Sequence, residues 1–123
     1  MNRSDDLERK LDQLLKEPKN PQLYNEIGVL LYQVKDLENA ELYLKRAYAL
    51  NPSNKDILYN YASLLYFQSK WQVAISIYQA YAAFDPDDKS VMEKVKNCYY
   101  QLGEYEKNVQ LYKPRKIIKK GEA

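Results

Sequence analysis

An all-α protein of antiparallel helix-turn-helix units, stacked as a solenoid, is what this sequence predicts. Three observations carry the prediction. Pro18, Pro52 and Pro86 stand 34 residues apart, each just after an apolar stretch. Every interval between them holds two segments with apolar residues at helical spacing. Glycine is scarce, at 3 of 123 residues, while the helix-favouring Leu, Ala, Lys, Glu and Gln are common.

The elements follow in chain order. Residues 4–16 form a helix that caps the array, with Ser4 as N-cap and Asp5 and Asp6 in its positive first turn. Leu7, Leu11, Leu14 and Leu15 make its apolar stripe. With the linker to residue 20, it makes up region 1–20. Asn20, Asn54 and Asp88 then recur two residues after the prolines, each placed to accept from the free N–H groups of the next helix. Pro21 sits at a first helical position, where a missing N–H costs nothing. In unit 55–88, Leu58, Tyr61, Ala62 and Leu65 share one helix face. Val73, Ala74, Ile77, Tyr78 and Tyr81 share that of the second helix, and the polar turn Gln68–Ser69–Lys70 divides the two.

Units 21–54 and 55–88 resemble the tetratricopeptide repeat, whose pattern is Trp-x2-Leu-Gly-x2-Tyr, then Ala-x3-Phe, then Pro. The first reads Tyr24-x2-Ile27-Gly28-x2-Leu31, Ala40-x3-Leu44, Pro52. The second reads Leu58-x2-Tyr61-Ala62-x2-Leu65, Ala74-x3-Tyr78, Pro86. Gly28, Ala62, Ala40 and Ala74 are small where the paired helices cross closely, and a leucine at Ala40 or Ala74 would overpack the crossing. A pentatricopeptide array would need a 35-residue period, which would put the prolines out of step. Unit 89–112 is degenerate. It keeps Met92, Val95, Tyr99 and Tyr112, but Lys96 and Asn108 replace the small residues, and Pro114 should stop its second helix early. An end unit departs from pattern because one face meets water.

The function classes narrow by what is missing. The chain has no histidine, so the commonest general acid–base residue is lacking. Its lone Cys98 falls in the column of Leu30 and Leu64, which marks it as core. Without histidine and with one cysteine, no structural zinc is expected. Asp85, Asp87 and Asp88 match the turn chemistry of the preceding unit; no glycine completes a calcium loop there. Trp71 aligns with Leu37 and Tyr105 as packing. We therefore expect no enzyme, no cofactor and no metal. The start is polar and no apolar run reaches the ~20 residues of a membrane span, so a cytoplasmic location and no membrane span are expected.

The resemblance implies a right-handed superhelix whose first helices line a concave groove. Its groove positions fall on Gln22, Asn25, Glu26, Val29, Tyr32 and Gln33; on Asp56, Tyr59, Asn60, Ser63, Tyr66 and Phe67; and on Ser90, Glu93, Lys94, Asn97, Tyr100 and Gln101. Tyr32, Tyr66 and Tyr100 recur at 34-residue spacing and should form a ladder. The candidate binding residues are Asn25, Val29, Tyr32, Tyr59, Asn60, Ser63, Tyr66, Phe67, Lys94, Asn97 and Tyr100. Aromatic platforms beside amides suit a protein partner offering an extended peptide or a helix. The family's carboxylate clamp would fall on Asn25, Val29, Asn60, Ser90 and Lys94, where only Asn60 is the expected type and Lys94 keeps the charge. Glu26, Asp56 and Glu93 make the groove slightly acidic, so strongly acidic peptides should bind poorly.

Charge adds two alternatives. Five of 19 Lys/Arg and one of 17 Asp/Glu fall in the tail 113–123, leaving an acidic body. The tail could touch nucleic acid or an anionic membrane, but the body has no matching basic stripe, so nucleic acid is not the expected partner. The imperfect C-terminal end could instead serve self-association, or belong to a larger repeat protein.

Overall fold

The computed structural model describes residues 3–103. They form six helices: α1 (Arg3–Lys16), α2 (Pro21–Gln33), α3 (Leu37–Leu50), α4 (Lys55–Phe67), α5 (Trp71–Ala82) and α6 (Lys89–Gln101). No strand occurs among the described residues. Each helix packs on the next in chain order, and α2 also touches α4. This is the layout of an α-solenoid: hairpins leaning on their neighbours, with the first helices of consecutive units side by side. No described helix is long and apolar enough to cross a membrane.

The punctuation read from sequence governs the helix starts. Asn20 accepts from Gln22 N–H at 2.9 Å, Asn54 from Ile57 N–H at 3.0 Å, and Asp88 from Val91 N–H at 3.2 Å. Each satisfies a donor that an isolated helix start would leave open. Tyr24 adds a tie, donating its hydroxyl to the Pro18 carbonyl at 2.9 Å.

The turn inside each hairpin rests on a second device. Lys35 (φ 68°), Ser69 (φ 61°) and Gly103 (φ 76°) adopt the left-handed conformation, again 34 residues apart. At the first two turns the chain folds back with paired bonds. Lys35 N–H donates to Tyr32 O and Asp36 N–H to Leu31 O; Ser69 N–H donates to Tyr66 O and Lys70 N–H to Leu65 O. That is the Schellman arrangement, which satisfies carbonyls at a helix end and favours glycine at the left-handed position. Two units therefore use a residue with a side chain where glycine would cost less.

The core runs through the stack. Ile27, Ala40, Leu44, Leu58, Ala62, Ala74, Tyr78, Val91, Val95 and Cys98 are almost wholly buried. Gly28 marks the tightest approach. A Cβ there would stand 2.6 Å from Leu44 Cγ and 3.3 Å from the Leu44 backbone nitrogen. Tyrosines join the core through their rings while their hydroxyls find partners. Tyr48 and Tyr61 lie 5.5 Å apart, and Tyr78 shares a 3.0 Å hydrogen bond with Ser63. Burial pushes the Cys98 thiol up to about 11.

Three expectations need correction. The first helix begins at Arg3, so Ser4 lies inside its first turn rather than before it. Leu15 is 82% exposed. α1 packs mainly on α2, and its buried stripe narrows to Leu7, Leu11 and Leu14, which pack against the core. Val73 is exposed and Ile75 is buried in its place. α5 is packed by both α4 and α6, which widens its buried arc past the single stripe the spacing showed. The segment expected to form the second helix of the third unit, with Asn108, Tyr112 and Pro114, and the tail 113–123 lie outside the described residues.

Gly28→Ala should lower unfolding stability in urea by about 1–3 kcal/mol, because Leu44 and its backbone must give way. Lys35→Gly and Ser69→Gly should each raise it, by roughly 0.5–1 kcal/mol, by relieving the left-handed strain at some cost in chain entropy. Either change without effect would show the turn to be unstrained. Native Cys98 should resist a thiol reagent at pH 8 and react at once in denaturant. The unfolded thiol ionises near its ordinary value while the folded one stays protonated. Its contribution to stability is therefore complete below about pH 8.5 and is lost as pH rises toward 11, which denaturant titration across that range will measure.

Candidate functional site: the face of the first helices

Helices α2, α4 and α6 carry the expected groove positions, and two adjoining hollows open among them. The first, about 310 Å³, is lined by Val29, Tyr32, Gln33, Leu44, Tyr59, Asn60, Ser63, Leu64, Phe67 and Lys94. Val29, Leu44 and Leu64 make its lining apolar, and the amide, hydroxyl and ammonium groups supply the polar part. Phe67, near the end of α4, is 58% exposed. The Tyr32 ring stacks on it at 5.9 Å and an interplanar angle of 30°.

Tyr66 stands behind this pair. Its ring meets Phe67 at 5.9 Å, Trp71 at 5.4 Å and Tyr78 at 6.4 Å, each nearly edge-on. Its hydroxyl accepts from Asn97 Nδ2 at 2.7 Å. The Lys94 ammonium lies 5.8 Å from the Tyr66 ring centre, within cation–π reach. Tyr66 and Asn97 are thus engaged in holding α4 to α5 and α6. Tyr32 and Tyr66 share Phe67, whose ring lies 5.9 Å from both. Phe67, outside the 34-residue spacing, is thus the ring that joins Tyr32 to Tyr66. Tyr100 is 65% exposed at the end of α6.

The second hollow, about 430 Å³, is lined by Asn25, Lys55, Asp56, Tyr59, Asn60, Tyr81, Asp88 and Ser90. Tyr59 and Asn60 are common to both hollows. Asn25 is only 4% exposed, and its side-chain oxygen accepts from Asn60 Nδ2 at 3.1 Å. The bond links α2 to α4 and fixes the orientation of Asn60. Asp88 does two jobs: besides capping α6, it accepts from the Tyr81 hydroxyl at 2.9 Å. Burial, and then the hydrogen bond to Asp88, raise the Tyr81 ionisation above the ordinary tyrosine range. Lys55 lies 3.8 Å from Asp85. Glu26 is held below the usual carboxylate range, first by the hydrogen bond from Lys10 at 2.9 Å.

Of the expected residues, Val29, Tyr32, Tyr59, Asn60, Ser63, Phe67 and Lys94 line the first hollow, and Asn25 lines the second. Tyr66 and Asn97 are bonded to each other, Tyr66 packs on Phe67 of the first hollow, and Tyr100 lines neither hollow. Leu44, Leu64, Lys55, Tyr81 and Asp88 also line the hollows but were not among the expected groove residues. Asp88 was legible as a helix cap and Tyr81 as a core position of α5, but α5 ends at Ala82, so no helical spacing shows that the two meet at the hollow. The arrangement can stack, hydrogen-bond and pair charges. Among the described residues, no three or more Asp, Glu or Cys side chains are grouped to hold a metal ion.

Two family models of the tetratricopeptide repeat match the sequence, one over residues 31–97 and one over residues 3–55. No curated protein matches it. Solved structures share its fold. The structure described as "MamA RS-1 ArsTM double mutant" has a TM-score of 0.82 at 17% identity, over 89% of this chain and 61% of that one. "Crystal structure of MamA protein" gives 0.79 at 20% identity, over 98% and 67%. "MamA MSR-1 C2" gives 0.74 at 18% identity, over 98% and 70%. This chain spans only about two-thirds of those proteins, and at such identity the likeness is one of fold. The sequence match covers more than half of the chain in one model alone, and the fold agrees with it: the chain belongs to the tetratricopeptide repeat family, whose repeats typically serve as non-catalytic scaffolds for protein–protein interaction.

Proposed function

We propose that this protein is an interaction module, with units at 21–54, 55–88 and 89–112, that binds an extended peptide or a helix of a protein partner along the face of α2, α4 and α6. The observation that carries the reading is the first hollow. It joins an apolar floor to an aromatic pair, the half-buried Tyr32 and the exposed Phe67, and to the polar groups of Asn60, Ser63 and Lys94. Concave sites of this mixture place a few polar groups for orientation around apolar surface that supplies affinity. An exposed phenylalanine stacked on a half-buried tyrosine is costly to leave in water and gains from being covered. The carboxylates of Asp56 and Asp88 disfavour a strongly acidic ligand.

The choice of test residues matters. Asn60 holds the buried Asn25, and Tyr66 holds Asn97 and packs on Trp71. Truncating those would disturb the scaffold along with the surface. Tyr32→Ala combined with Phe67→Ala removes the exposed stack and leaves both hydrogen bonds in place. Capture of partners from lysate, followed by affinity measurement on the partner identified, should show at least about tenfold weakening for the double variant, with helicity by circular dichroism unchanged. Undiminished affinity would place the binding surface elsewhere.

A further inference from the structure

The two hollows differ in chemistry, and that difference specifies a ligand. The first is apolar with Lys94 on its lining. In the second, Lys55, Asp56 and Asp88 line the wall, and Lys55 is paired with Asp85. Asp88 is engaged by two uncharged donors, the Val91 N–H and the Tyr81 hydroxyl. Asp56 is exposed in the first turn of α4. With Lys55 offset by Asp85, the second hollow keeps the negative charge of Asp56 and Asp88. The buried Asn25 lines the same wall with its oxygen committed to Asn60, so its –NH2 group is the donor it can offer to a ligand carbonyl. Because the hollows share Tyr59 and Asn60, one chain segment can reach both.

We propose that the groove selects a partner segment carrying a bulky apolar side chain and, within about three residues of it, a lysine or arginine. The apolar side chain enters the hollow beside Tyr32 and Phe67, and the cation meets Asp56 and Asp88 in the second. Lys94 lines the first hollow and reaches Ser90 of the second at 3.5 Å, so it stands between the two, and Asp56 and Asp88 are the groups that draw the cation. This rests on the groove reading above and adds the chemistry of the ligand.

The test uses random heptapeptides displayed on phage, panned against the full chain. Enriched sequences are then remade with a fluorescent label and titrated by polarisation against three proteins: the unaltered chain, Phe67→Ala, and Asp56→Asn with Asp88→Asn. Asparagine keeps the cap on α6, and Asp56→Asn alone serves if the double variant loses helicity. The expected pool pairs a bulky apolar residue with Lys or Arg inside three positions. Its members should weaken with Phe67→Ala, and weaken roughly threefold to fivefold with the asparagine variant, losing part of their salt dependence. Peptides that need Phe67 but lack the basic residue, or ignore the asparagine change, would overturn this inference and leave the groove reading standing. A pool indifferent to Phe67→Ala would overturn both.

Discussion

Two helices can share a core only as deeply as their backbones can approach, and that limit governs this molecule. At Gly28 the space for even one methyl group is filled by Leu44. Ala40, Ala62 and Ala74 are wholly buried at the equivalent crossings. Close approach lets short helices of 12–14 residues bury enough surface to hold together. It also keeps the first helices near enough for α2 to touch α4 and for Asn25 to reach Asn60. The face that carries the hollows is a by-product of how tightly the hairpins close.

Tyrosine answers a problem this layout creates. Helix α4 must pack on α3 and α5 and still present a surface. Tyr61 is buried against Tyr48, Tyr59 meets Tyr81 at 5.4 Å while lining both hollows, and Tyr66 anchors the aromatic cluster with its hydroxyl on Asn97. A purely apolar ring would fill the same volume but leave Asn97 and Ser63 to find other partners. The polar tip lets one residue type serve both the interior and the rim.

Most of the fold was legible in the sequence because proline, capping residues and small residues act locally. Pro18, Pro52 and Pro86 set the period, and Asn20, Asn54 and Asp88 cap helices in the structure. What was not legible depends on neighbours. Leu15 and Val73 look like core on a helical wheel, and only the packing of α1 and α5 decides that they face water. Asn25 reads as a surface amide, yet its burial and its bond to Asn60 depend on a helix 35 residues away. The left-handed turns escaped notice because lysine and serine hold a position that glycine would have announced. The first hollow was visible as a set of positions, but its Leu44 and Leu64 floor belongs to the core pattern, so only the folded structure shows where core ends and groove begins.

The Tyr81–Asp88 hydrogen bond joins the last helix of one hairpin to the cap of the next. In a linear array, cooperativity depends on how strongly neighbours are coupled. Moving α6 away from α5 must sever that link even while Asp88 keeps its cap on Val91, so the residue that starts one helix also resists its separation from the helix before it.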